Sequence, residues 1–249
     1  MNYQHDNVFL MGKTHKVCQD YAYSDSSCLI ISDGCSGSPN SDIGARILTL
    51  CAKSILQDSK ERDYKQFGYT VITKARTIID AMRLNKECLD ATLIVAFPEE
   101  DSIKVFMYGD GTIINTKLDN SLEVKRVLYV SGAPYYLSYW IDKARLKGYH
   151  REFNAPLFIK DTMAVYDSEI SFTFYTSRIT IASDGLSTFF CPSTGIKTKE
   201  SDVATSMTSF KTLKGEFLKR RVLKAVQDYA KRDIYHMDDI ALASFNLRY

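Results

Sequence analysis

The sequence predicts an α+β fold in which antiparallel sheet is layered with helices, and two observations carry that expectation. From residue 91 onward, apolar stretches with the short period of strands follow one another directly, separated by brief polar turns. The amphipathic helical stretches come in pairs and do not alternate with single strands, which argues against repeated βαβ units. No linker, low-complexity tract or charge block divides residues 1–249, so one domain is expected.

The first apolar run, Cys28-Leu29-Ile30-Ile31, is short, β-branched and stopped by Asp33-Gly34, which predicts a buried strand. A small-residue loop leads into a helix with Ser41 as its N-cap and Ile43, Ile47, Leu48, Cys51 and Ile55 on one face. A second helix over about 63–84 turns Phe67, Val71, Ile72, Ile78, Ile79 and Met82 inward. Strands are expected over about 91–97, 103–108, 112–117 and 122–130. The stretch 131–161 reads as irregular and aromatic, a substrate-facing flap or a packed core segment. Strands resume over about 171–175 and 178–182, helices over about 201–210 and 215–232, and a last strand over about 240–246.

Hydrophobic residues make up 45% and charged residues 25% of the 249, the balance of a soluble globular protein. A net charge of +2 gives no electrostatic case for nucleic acid or an anionic membrane as partner. No apolar run approaches the roughly 18 residues of a spanning helix. The opening Met1-Asn2-Tyr3-Gln4-His5-Asp6 lacks the basic and apolar regions of a secretory signal, so a cytoplasmic protein is expected. Six cysteines contain no Cys-x-x-Cys pair and no histidine at a ligand spacing, which favours reduced thiols and argues against zinc.

Three apolar strands run into Asp-Gly: Leu29-Ile30-Ile31-Ser32-Asp33-Gly34, then Val105-Phe106-Met107-Tyr108-Gly109-Asp110-Gly111, then Ile179-Thr180-Ile181-Ala182-Ser183-Asp184-Gly185. Asp20 and the pair Asp238-Asp239 add carboxylates near other strand ends. Asp-Gly is also ordinary turn chemistry, and Gly109-Asp110-Gly111 suits a hairpin equally well. Adjacent acids such as Asp238-Asp239 are commonly a solvated turn. Carboxylates brought together, however, repel unless they are protonated or share a cation, and hard oxygen ligands suit Mg²⁺ or Mn²⁺.

Other motifs read as structural. Gly12-Lys13-Thr14 resembles the end of a phosphate loop, but Asn7 stands where that motif needs glycine. Lys219-Arg220-Arg221 with Lys224 fits the solvated face of a helix whose Phe217, Leu218, Val222 and Val226 point inward. His150 and His236 are isolated and read as structural.

The ordered set Gly12-Lys13-Thr14-His15-Lys16-Val17-Cys18-Gln19-Asp20, Ser32-Asp33-Gly34-Cys35-Ser36-Gly37, Asp42-Ile43-Gly44-Ala45, Ala91-Thr92-Leu93, Tyr108-Gly109-Asp110-Gly111, Ser183-Asp184-Gly185-Leu186 and Asp238-Asp239-Ile240-Ala241-Leu242 resembles the metal-dependent protein phosphatase family of the 2C type. The likeness is greatest to a bacterial subgroup with His and Cys-Gln-Asp in the first motif. It implies a four-layer αββα sandwich of two antiparallel sheets flanked by helix pairs. It further implies two Mn²⁺ or Mg²⁺ ions bridged by Asp33, with the Gly34 carbonyl, Asp184 and Asp238 completing one site and Asp20 serving the other. Asp110 with Asp184 could hold a third ion. A metal-bridging water would attack phosphorus in line, without a covalent phosphoenzyme.

The same resemblance implies catalytic roles for Asp33, Asp184 and His15, and substrate contact by His15 and Thr92. The partner would be a phosphoserine or phosphothreonine protein made by an opposing serine/threonine kinase, and the chain would act as a monomer. Three positions depart from the family's familiar pattern. His15 stands where an arginine grips phosphate, Gln19 where an acid stands, and Cys35 where a histidine is the proposed leaving-group acid. A pseudophosphatase that binds a phosphoprotein without turnover is therefore the alternative, and a phosphatase of small molecules a third reading.

Overall fold

The structure is a computed structural model and describes residues 3–58, 63–117, 119, 121–153, 157–159, 162–164 and 168–247. Strands β1 (Tyr3–Leu10), β2 (Asp20–Ser24) and β3 (Leu29–Asp33) precede the helices α1 (Ser41–Asp58) and α2 (Tyr64–Met82). Then come β4 (Leu93–Glu99), β5 (Ser102–Tyr108), β6 (Gly111–Thr116), β7 (Leu122–Tyr129) and α3 (Lys143–Phe153). β8 (Leu157–Ile159), β9 (Thr162–Ala164), β10 (Ser171–Phe174) and β11 (Arg178–Ala182) follow. β12 (Phe189–Cys191) and β13 (Ile196–Lys197) lead to α4 (Glu200–Thr208) and α5 (Phe217–Ala230), and β14 (Tyr235–His236) and β15 (Ile240–Leu247) close the chain.

Two antiparallel sheets dominate, one in the order β1-β15-β11-β6-β7-β8-β9 and the other β10-β5-β4-β3-β2. Alternation along the strands sorts side chains into three cores. Ile94, Ala96, Ile103, Val105 and Met107 of the smaller sheet meet Ile113, Ile179, Ile181, Ala243 and Phe245 of the larger between the sheets. Their neighbours Leu93, Val95, Phe97, Phe106 and Tyr108 point the other way, onto Leu48, Cys51, Phe67, Ile72 and Ile79 of α1 and α2. Ile240 and Leu242 face Val203, Met207, Leu218 and Val222 of α4 and α5. The result is the four-layer αββα sandwich. Strands covered on both sides must be apolar at nearly every position, which is why they read as continuous runs. No helix among the described residues is long and apolar enough to cross a membrane.

Several local expectations are corrected. Ser41 does not cap α1: Asn40, at φ 56°, supplies the carbonyl that Gly44 N–H meets, and the buried Ser41 hydroxyl accepts Gln19 Nε2 at 2.7 Å. Met82 is 53% exposed, because α2 ends there with Arg83 in a left-handed conformation. The stretch 131–161, expected to be irregular, contains α3 and β8, while residues 154–156 and 160–161 lie outside the described residues. Strands β1 and β2 and the small sheet β13-β12-β14 were not foreseen.

The correction that matters most concerns Gly109-Asp110-Gly111. It is not a hairpin turn. β5 belongs to the five-stranded sheet and β6 to the seven-stranded one, so this tripeptide carries the chain from one sheet to the other.

Candidate active site

In an antiparallel sheet the end of one strand lies beside the start of its neighbour. That rule assembles the acidic residues. Asp20, first in β2, pairs across with Asp33, last in β3. The end of β11 lies against the starts of β6 and β15, with Ala182 opposite both Thr112 and Leu242. Asp184 just after β11, Asp110 just before β6 and Asp238 just before β15 therefore share one edge. Ser183 ties the two sheets together there. Its hydroxyl donates to Asp20 Oδ2 at 2.7 Å and accepts Ala241 N–H at 2.9 Å.

Glycines permit this convergence. A Cβ on Gly185 would lie 1.8 Å from the Asp239 carbonyl oxygen, and one on Gly34 would lie 2.7 Å from that of Ser41. Without a Cβ at these positions the acidic segments can approach one another.

The charges respond to that crowding. Burial, with the charges of Asp20, Asp184 and Asp110, pushes the Asp33 carboxyl well above the usual range. Burial pushes Asp20 up to about 7, against hydrogen bonds from Ser183 and Asp33 that pull it down. Burial and Asp184 push Asp110 up to about 7, with the cationic Arg126 opposing. Asp184 is raised by burial and by Asp238, while its hydrogen bond with Asp33 lowers it. The carboxyls meet in pairs. Among the described residues, no three Asp, Glu, His or Cys side chains stand as one ready-made set of ligands around an ion.

Do these residues suit a divalent cation? The 1% exposed Asp20 leaves its Oδ1 buried and, among the described residues, without a hydrogen-bond partner. The donors around it are carboxylate oxygens, and raised carboxyl groups are what cation binding relieves. The set fits Mg²⁺ or Mn²⁺ in chemistry.

The metal-free protein should accordingly lose stability as pH rises from about 4 to about 7. Unfolded aspartates ionise near ~3.9, whereas Asp20 and Asp110 hold protons in the folded chain up to about 7. The folded chain binds more protons across that window, so unfolding becomes easier with rising pH. Thermal melts at about pH 5 and about pH 7.5, with and without Mn²⁺, check this. A metal-free midpoint higher at the upper pH would contradict it.

The remaining site residues sort by what they touch. Thr92 is 4% exposed, its hydroxyl accepts Asp33 N–H at 3.1 Å, and its N–H donates to the Asp33 carbonyl at 2.8 Å. Both contacts tie Thr92 to the strand end that carries Asp33. His15 lies between two acids, Nε2 3.2 Å from Asp238 Oδ1 and Nδ1 3.0 Å from Asp239 Oδ2. Burial works against its charge, but the Asp239 hydrogen bond and the charges of Asp239, Asp238 and Asp20 raise its pKa overall. Both ring nitrogens thus face carboxylate oxygens.

Gln19 donates its amide to Ser41 and its backbone N–H to Asp239 Oδ2 at 2.6 Å. Asp239, read as part of a solvated turn, is 2% exposed and also accepts Gly12 N–H at 2.7 Å. His236 is buried, with Nδ1 3.0 Å from the Asp238 carbonyl oxygen.

Sequence reasoning missed Arg126. It sits in β7 opposite Thr112, reaches Ser187 Oγ at 3.1 Å and Glu200 at 3.4 Å, and is the cation that Asp110 and Asp184 feel. Nothing around Arg126 in the chain marks it, because its neighbours at the site are remote in sequence. A cavity of about 500 Å³ lined by Tyr64, Tyr69, Tyr135 and Trp140 shares no residue with the acidic cluster.

A family sequence model described as Protein phosphatase 2C matches residues 12–133. No curated protein sequence gives a significant match. Among solved structures, the chain is similar to the serine/threonine phosphatase PstP/Ppp of Mycobacterium tuberculosis, at 11% identity and a TM-score of 0.60, covering 100% of both chains. It is similar to the serine/threonine phosphatase Stp1 from Staphylococcus aureus at 14% identity and a TM-score of 0.59, covering 100% of this chain and 96% of that one. A third similar structure is the catalytic domain of the serine/threonine protein phosphatase PstP in complex with two manganese ions, at 11% identity and a TM-score of 0.56, covering 98% of each chain. At these identities the likeness establishes the fold, and the fold is that of 2C-type phosphatases.

Proposed function

We propose that this chain is a single-domain, metal-dependent protein phosphatase of the 2C type that hydrolyses phosphoserine and phosphothreonine. The observation that carries the reading is the meeting of Asp20, Asp33, Asp110 and Asp184 at one edge of two sheets, each with its carboxyl raised by burial and by neighbouring carboxylates. Asp33, the Gly34 carbonyl, Asp184 and Asp238 would hold one Mn²⁺ or Mg²⁺, Asp20 would serve a second, and Asp110 with Asp184 a third. Such ions activate water for attack on phosphorus and neutralise phosphoryl charge.

The chain's own residues hold that arrangement. Thr92 and Ser32 lock the strand end that carries Asp33, Ser32 Oγ donating to the Thr92 carbonyl at 2.6 Å. Ser183 aims Asp20. His15 orients Asp238 and balances its charge. The substrate on this reading is a phosphorylated protein produced by a serine/threonine kinase, and the chain acts as a cytoplasmic monomer. On the same reading, His15 and Cys18-Gln19-Asp20 support its assignment to a bacterial subgroup of that family.

Purified protein should release phosphate from a phosphothreonine peptide with Mn²⁺ or Mg²⁺, and a chelator should abolish the release. A rate unaffected by chelation sinks the metal-dependent reading. A pseudophosphatase is the second reading, and what favours it is the altered substrate side, with His15 engaged by acids and Cys35 in place of histidine. Mn²⁺-dependent phosphopeptide binding without turnover would establish it instead.

A further inference from the structure

The small sheet β13-β12-β14 adjoins the acidic edge directly. β12 starts two residues after the turn Asp184–Ser187, and β14 ends two residues before Asp238. Thr188 ties the two together, its carbonyl accepting Met237 N–H at 3.4 Å and its hydroxyl accepting Asp238 N–H at 3.2 Å. Phe190 lies opposite both Tyr235 and Lys197 in the register, and residues opposite one another in antiparallel strands share a face. Phe189 and His236 belong to the other face and are buried. Phe190 and Tyr235 are half-buried and Lys197 is exposed, so their face is the one turned to solvent.

A second ammonium group is fixed on the Tyr235 ring. Lys13 is exposed, its Nζ stands 3.2 Å from the ring centroid, and its backbone N–H donates to the His236 carbonyl at 3.0 Å. An ammonium held over a ring gives up the freedom of an ordinary surface lysine, so its place is set before any ligand arrives. Among the described residues, the lysines that pair with carboxylates are Lys86, Lys125, Lys219, Lys224 and Lys231. Lys13 and Lys197 have no such partner. Two uncompensated ammonium groups around two aromatic rings, on a chain with a net charge of only +2, make a local positive and partly apolar surface. It lies close to the acidic edge, because Tyr235 precedes Asp238 by three residues, a span of at most about 11 Å. Each strand step from β14 toward Lys197 adds only ~4.8 Å.

We propose that this face is a docking surface for the polypeptide that flanks the phosphorylated residue, and that it selects segments with Asp or Glu roughly three to six residues away. Lys13 and Lys197 meet the carboxylates, and Phe190 and Tyr235 meet the apolar side chains between them. This rests on the phosphatase reading above and deepens it by naming the substrate class. An extended peptide advances roughly 3.3–3.6 Å per residue. With its phosphate at the acidic edge, it comes level with Lys13 at about the third or fourth residue and with Lys197 at about the sixth.

Two phosphothreonine peptides test this, identical except that one carries Glu and the other Gln at those distances on both sides of the phosphothreonine. In the full-length, Mn²⁺-loaded protein the KM for the Glu peptide should be about fivefold lower, the combined effect of two exposed ion pairs. The gap should close as salt is raised. Fluorescence anisotropy of the labelled peptides reads the same preference as a Kd. Lys197→Ala, a change on an exposed strand, should narrow the gap to about twofold, and adding Lys13→Ala should remove it. Lys13→Arg keeps the charge over the ring and should keep the preference. Equal KM and Kd for the two peptides in the parent overturn the proposal and leave the phosphatase reading standing. A preference that survives in the double alanine variant overturns it as well, since the acids are then read elsewhere. A parent that prefers the Glu peptide in binding but hydrolyses neither overturns turnover alone, and the docking surface stands. A parent that neither binds nor hydrolyses overturns both.

Discussion

Asp33→Asn should lower Mn²⁺-dependent hydrolysis of a phosphothreonine peptide by at least about a hundredfold. Metal-assisted stabilisation of a phosphoryl transition state is worth several kcal/mol, and each ~1.36 kcal/mol is a factor of ten. Asp33 is the residue on which the arrangement turns, since it faces Asp20 across the β2–β3 pair and also meets Asp184 and Asp110. The same substitution should raise the thermal midpoint of the metal-free protein. An asparagine amide can donate to Asp20 and Asp184 at any pH, whereas the Asp33 carboxyl does so only while it holds its proton and repels both once it ionises. In a chain of this size each kcal/mol gained is worth roughly 2–4 °C. Parental turnover would remove Asp33 from the site. Lost turnover with a midpoint several degrees lower would mean that the variant failed by unfolding.

Asp239→Ala is expected to be the most damaging change at the site for stability. It removes the acceptor of the Gly12 and Gln19 N–H groups and one of the two partners of His15. Each orphaned buried donor costs about 1–3 kcal/mol, so a loss of about 3 kcal/mol is expected, or roughly 6–12 °C in midpoint. Turnover should fall as well, because the loop from Gly12 to Gln19 delivers Asp20 to the edge of the sheet. Asp239→Asn keeps one acceptor oxygen and should lie between parent and alanine variant. Differential scanning calorimetry decides the matter, and an alanine variant as stable as the parent would show that the loop is held by something else.

Where sequence and structure disagree, the cause is long-range. β1 carries only Tyr3 and Val8 as buried apolar residues, so it has no period to read. It forms because it pairs with β15 over its whole length, from Tyr3 opposite Leu247 to Leu10 opposite Ile240. Its Asp6 also accepts Leu218 and Lys219 N–H groups at the start of α5, a cap more than two hundred residues away in the chain. α3 buries only Tyr149 and contains Gly148, so its helical signal is weak. Asp142, whose carboxylate accepts Ala144 and Arg145 N–H groups at 3.1 Å, was the one local sign that could have revealed it. The strands covered by helices on one side and the second sheet on the other were legible, because double burial forces unbroken apolar runs.

Residue types and their spacing along the chain set the kind of chemistry available: aspartates placed at strand ends, glycines beside them, hard oxygen donors without paired histidine and cysteine, and a paired-helix order that fits a sandwich. Which of those aspartates meet, that Gly109-Asp110-Gly111 crosses between sheets and that His15 answers Asp238 and Asp239 emerge only once the strands have paired. Composition and periodicity are properties of neighbours along the chain. Which strand end lies against which depends on pairings between residues as far apart as 20 and 183, and those free energies are realised when both cores close.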